Sequence, residues 1–144
     1  MLASLLSRAT AADLVTSGDW TRQINAADLS RGAGSHLISQ HESPVGVTLV
    51  SVSNTSGGAW RLKVRRSGGL WHSNVGLRVR RCGDGSGTGY VTGGEPYVDL
   101  SNIDAQICSG AGDRSYVSLQ FEIVGVSTTL SPASYNTSVV FTLE

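Results

Sequence analysis

Lysine is almost missing from this chain: Lys63 is the only one in 144 residues. Charged residues of all kinds make up 15%, well short of the roughly 25% of an ordinary soluble domain. The formal net charge is zero, so bulk charge does not draw the chain to nucleic acid or to an anionic membrane. Long apolar runs are missing too. No stretch approaches the ~20 apolar residues of a membrane helix, and no membrane span is expected.

The usual catalytic signatures are also absent. The glycine-rich loop Gly83–Gly89 ends in Tyr90 and Val91 and holds no lysine, so it lacks the Gly-Lys-Ser/Thr ending of a phosphate-binding loop. No Gly-x-Ser-x-Gly elbow occurs, nor a pair of histidines spaced as on a metalloprotease helix. The three histidines are His36, His41 and His72, the first two in one loop with Glu42 and Ser43. Serines are so abundant that a Ser/His/Asp grouping by itself means little. The chain is read as a non-enzyme without a cofactor. Asp84 and Asp113 lie in two glycine loops with Asp99 and Asp104 between them, but isolated aspartates are not the dense oxygen set that calcium requires. No metal site is expected.

What is present is glycine, serine, threonine and alternation. There are 18 glycines, above the usual share of about 7%, placed where short apolar runs must reverse. Trp60, Leu62 and Val64 alternate with Arg61, Lys63 and Arg65. Val75, Leu77 and Val79 alternate with Arg78 and Arg80. Val117, Leu119, Phe121 and Ile123 form a third set, and Val139, Phe141 and Leu143 a fourth. Such period-2 runs are half-buried strands. Strands are also expected at 19–24, at 45–53, irregularly within 90–100, and at 125–130 as a continuation of the run before it. Seven to eight short strands at roughly ten-residue spacing predict an all-β, immunoglobulin-like antiparallel sandwich over residues 18–144. Residues 1–17 read as an N-terminal arm. Ala9, Thr10 and Ala11 have the small-x-small pattern of a signal-peptidase site, without a basic start or full apolar core. The arm is read as a signal-peptide remnant or as a strand donated to another copy.

Cys82 and Cys108 in such a composition suggest one disulfide and an oxidising, extracellular or cell-surface location. Asn54 and Asn136 head glycosylation sequons, both at expected turns. Seven of the eleven basic residues fall within 61–81. Arg61, Lys63 and Arg65 beside Arg78 and Arg80 would form a basic ladder on one outward face. Like charges on neighbouring strands repel, so such a ladder calls for an acidic neighbouring copy or an anionic polysaccharide, unless Glu122, Asp99 or Asp113 relieves it. Little aromatic interleaving argues against nucleic acid. Trp20 and Trp60 read as core, whereas Trp71, after Gly68 and Gly69, is the best exposed aromatic contact.

The ending from Ser131 to Leu143, a Pro-x-x-Tyr turn (Pro132, Tyr135) leading into Thr/Val alternation, resembles the last strand of secreted bacterial immunoglobulin-like domains. Pilus-type subunits and spore-coat-U-like surface proteins share it, although the cysteines here differ in number and placement from the latter. Trp60 to Arg66, Leu70 to His72 and Gly112 to Ser115 are similar to a group of secreted bacterial proteins with this ending. The resemblance implies a subunit completed by a neighbour's strand. The resulting expectation is an extracellular structural or adhesive subunit that self-assembles, in its fullest form into a filament, through strand edges and charged faces. Alternatives are a carbohydrate-binding module and a viral capsid or decoration domain.

Overall fold

The cleanest alternation in the sequence becomes the spine of one sheet. The computed structural model describes residues 12–144, and residues 59–67 form a strand in which Trp60, Leu62 and Val64 are buried. In chain order the strands are β1 (Asp13–Ser17), β2 (His41–Glu42), β3 (Thr48–Ser53), β4 (Ala59–Ser67), β5 (Gly76–Gly83), β6 (Tyr90–Thr92), β7 (Val98–Leu100), β8 (Ala105–Ala111), β9 (Arg114–Val124) and β10 (Ser138–Leu143). The one helical piece among the described residues is a single 3₁₀ turn at Ala26–Asp28, capped by Asn25.

All pairings are antiparallel and fall into two sheets. The first runs β1-β3-β9-β5-β7, with β2 sharing the β3 side of β9. The second runs β10-β4-β8-β6. The core lies between them: Val50, Val52, Leu77, Val79, Leu100, Val117, Leu119 and Phe121 from the first sheet meet Trp60, Leu62, Val64, Val91, Ile107 and Cys108 from the second. The chain is thus an all-β sandwich of two antiparallel sheets.

Ten strands replace the expected seven to eight. The strand expected at 19–24 is irregular backbone, and Trp20 packs on the core without it. The segment 125–130 turns instead of pairing. Two strands were not expected: His41–Glu42, read as loop, pairs with β9 as β2, and β8 reads Ala-Gln-Ile-Cys-Ser-Gly-Ala, poor in β-branched residues. Its weakness is required by what it touches. A Cβ on Gly110 would meet the Tyr90 carbonyl oxygen at 2.2 Å and the Trp60 ring at 2.6 Å, so the Trp60 indole fills the space where a strand residue normally carries its side chain.

The arm expected outside the core also changes place where it is described. Asp13–Ser17 pairs with β3 of its own chain from Asp13↔Ser53 to Ser17↔Leu49, and Ala12 and Leu14 pack on the core. These residues are a native edge strand, not a strand donated to a neighbour. Residues 1–11, including the small-x-small pattern, lie outside the described residues.

Candidate interaction surface

The expected disulfide is not formed: Cys82 and Cys108 are both free. Sheet register explains this. Cys82 is the extra residue of a bulge in β5, between the pairs Arg81↔Leu119 and Gly83↔Ser118, and its thiol donates to the Ser118 carbonyl at 3.3 Å. Cys108 sits opposite Leu62 in the other sheet and is 2% exposed in the core. Its burial pushes the thiol up to about 11, so it stays protonated at neutral pH and is inert as a nucleophile.

The basic ladder is split. β4 and β5 are consecutive in sequence but belong to different sheets, so Arg61, Lys63 and Arg65 face outward on one side of the sandwich and Arg78 and Arg80 on the other. On the first sheet, Arg78 lies in register between Asp99 and Glu122. Its Nη1 donates to Glu122 Oε1 at 3.0 Å, and its Nε is 3.1 Å from Asp99 Oδ1. Arg80 donates through Nε and Nη2 to Gln120 Oε1 at 2.9 and 2.7 Å. Both guanidiniums stand over the Tyr97 ring, 5.5 and 4.9 Å from its centroid. Gln120 Nε2 donates in turn to Ser43 O and Glu42 Oε2. Glu122 and Gln120 are buried although they point away from the core: Arg78 sits on Glu122, and Arg80, Glu42 and Ser43 hold Gln120. Burial holds the Tyr97 hydroxyl above its ordinary titration range.

The second face is looser. Lys63 Nζ bonds Glu144 Oε1 at 2.9 Å, and Arg65 Nε lies 3.7 Å from Asp104. Arg61 is exposed and has no side-chain partner among the described residues. Trp71 is half-buried against the core. Its indole N–H donates to the Val75 carbonyl at 2.8 Å, and the Arg66 guanidinium lies 5.8 Å from its ring centroid. It is therefore not the free aromatic platform that its turn position suggested.

The remaining candidates are used internally. Asp84 pairs with the buried Arg81, Asp113 accepts from Thr55 N and Oγ1, Asp99 faces Arg78 and Asp104 faces Arg65. The aspartates do not converge, and the described residues hold no cluster of three metal-ligating side chains. The glycine loop is organised by a residue that sequence reading passed over. Arg114 donates to the carbonyls of Asp84, Gly85, Gly87 and Gly89, and a Cβ on Gly85 would meet Ser115 O at 2.1 Å. His41 is buried, with Nε2 on Ile38 O at 2.7 Å and Nδ1 facing Arg22, while Ser43 Oγ accepts from Phe121 N. His36 is exposed, and among the described residues no histidine ring bonds a serine hydroxyl. Asn54 and Asn136 are both exposed; the Asn54 amide bonds Asp13, and Asn136 Oδ1 accepts from Leu70 N at 3.4 Å.

Two edge strands exceed three residues: β1, which pairs with β3 alone and begins at the charged Asp13, and β10. The second pairs with β4 alone, without a bulge, and contains no charge and no proline. Val139, Phe141 and Leu143 turn toward the core but remain only partly buried. The edge strands β6 and β7 are three residues each, short enough to offer little to a second chain. No family model, curated protein or solved structure matches this chain.

Proposed function

We propose that this protein is an extracellular structural subunit, built on an immunoglobulin-like sandwich, whose copies join through their sheet edges. The single observation that carries the reading is the β10 edge: six residues, four of them of high β propensity, uncharged, unbulged and unpartnered on one side among the described residues. Soluble sandwiches guard such an edge with lysine, proline, a bulge or brevity, and an edge lacking all four is a template for another strand. The function is assembly, not catalysis. The outward row Arg61, Lys63 and Arg65 next to this edge adds a place for an acidic neighbour or an anionic polysaccharide. The extracellular part of the proposal rests on the Ser/Thr/Gly-rich, lysine-poor composition and the two exposed sequons, since the cysteines no longer support it. Trp71, half-buried and bonded to the Val75 carbonyl, offers less support to the alternative of a carbohydrate module.

Sedimentation velocity over a concentration series, with negative-stain imaging of the same samples, tests this. Mass increasing with concentration, with or without fibres, is the expected result. A single monomeric species at the highest attainable concentration rejects the proposal.

A further inference from the structure

The hydrogen-bond pattern of β10 narrows the partner to one arrangement. Arg61 and Glu144 exchange both backbone bonds, N to O at 2.8 and 2.9 Å, so the ladder with β4 runs from 138 through 144. In an antiparallel pair such mutual bonds recur at every second residue. The bonded pairs are therefore Arg61↔Glu144, Lys63↔Thr142, Arg65↔Val140 and Ser67↔Ser138. The N–H and C=O groups of Val139, Phe141 and Leu143 consequently point away from β4, toward the open side. That is three donors and three acceptors along about 20 Å of strand.

We infer that this edge is a two-fold interface in which β10 of one copy pairs antiparallel with β10 of a second copy, centred on Phe141. This rests on the proposed assembly through sheet edges and specifies the partner, direction and register. Parity sets the register. The edge-facing residues are all odd-numbered, and the three that offer free groups, Val139, Phe141 and Leu143, are centred on 141. Full overlap therefore places 141 opposite 141, 139 opposite 143 and 140 opposite 142.

Charge sets the direction. Parallel pairing would lay Glu144 of one copy beside Glu144 of the other, which is destabilising. Antiparallel pairing places Glu144 opposite Ser138, away from its own kind, and leaves the Lys63–Glu144 ion pair intact in each copy. On the inner side, the partly buried Val139, Phe141 and Leu143 of one copy continue into those of the other. Two four-stranded sheets become one of eight strands, and the two Phe141 rings meet at the axis, where aromatic pairs add to simple burial. A point-group dimer of this kind is also the commonest closed assembly.

Val140 and Thr142 face outward, so cysteines there leave the core untouched. Opposed, non-hydrogen-bonded positions bring Cα atoms within disulfide range. In a Cys82→Ser background, oxidation of Val140→Cys/Thr142→Cys is expected to give a covalent dimer on non-reducing gels. The single variants Val140→Cys and Thr142→Cys should give none, since they report registers shifted by one pair in either direction. Val140→Lys, which sets a new cation between Arg65 of its own copy and Thr142 of the second, should weaken self-association at least tenfold with unchanged circular dichroism. Concentration-dependent association that survives Val140→Lys, without cross-linking of the double variant, overturns this interface and leaves edge assembly standing elsewhere. Cross-linking of a single variant alone overturns the register. A wild-type chain that stays monomeric overturns both readings.

Discussion

The two outer faces of the sandwich receive similar runs of cations and treat them differently. On the first sheet, Arg78 and Arg80 meet Glu122 and Gln120 at near-ideal distances beside the Tyr97 ring, and the acceptors are buried. On the second, Lys63 and Arg65 reach Glu144 and Asp104 in the open, with half or nearly half of each acceptor side chain in solvent. Hydrogen bonds to charge are strong where water is excluded and weak where water competes. The first face is therefore a closed piece of structure, and the second keeps its charge available.

The largest test of this contrast is Glu122→Ala. It strips the Arg78 guanidinium of a buried acceptor and should cost about 2–3 kcal/mol of unfolding free energy, read as a fall of several degrees in the thermal midpoint. A loss no greater than that of an exposed ion pair would erase the difference between the faces. A smaller effect concerns acid. Thr55 Oγ1 and N hold the Asp113 carboxyl below its ordinary 3.8, as the Asn25 N–H and Arg22 do for Asp28. The charged forms stabilise the fold above that pH, and the contribution is lost as pH falls through and below it. Thr55→Val should thus lower the midpoint modestly at neutral pH and converge with wild type in strong acid. A constant gap down to low pH would show that Asp113 is not involved. Next comes Glu144→Ala, which removes the exposed partner of Lys63. Chemical denaturation should register less than about 0.5 kcal/mol, vanishing in high salt. The smallest effect is none: reductant should leave the midpoint unchanged, and a thiol titration of the denatured chain should count two free cysteines. A reductant-sensitive midpoint would restore the Cys82–Cys108 bridge.

Legibility followed local pattern. The strands at 59–67, 76–83, 114–124 and 138–143 were readable because each carries its own alternation. The polar stretch at 19–24 imitated a strand with Trp20 and Ile24, but two apolar side chains do not supply a backbone partner. β8 went unseen because its small residues make room for Trp60. Of the three acids that could relieve the basic ladder, Glu122 and Asp99 meet Arg78, whereas Asp113 is held by Thr55. Spacing of cysteines could not report that one would sit in a bulge and the other in the core of the opposite sheet.

By itself, then, the sequence determined the class of fold, two-faced strands punctuated by glycine, because alternation of side chains is a property of each segment alone. It also determined that the last strand would be apolar on one side and uncharged throughout. Which strands became neighbours was decided only in three dimensions. Main-chain hydrogen bonds are indifferent to sequence, so β4 and β5 could part into different sheets, divide one basic ladder into two faces, keep two cysteines apart and leave one side of β10 unpaired among the described residues.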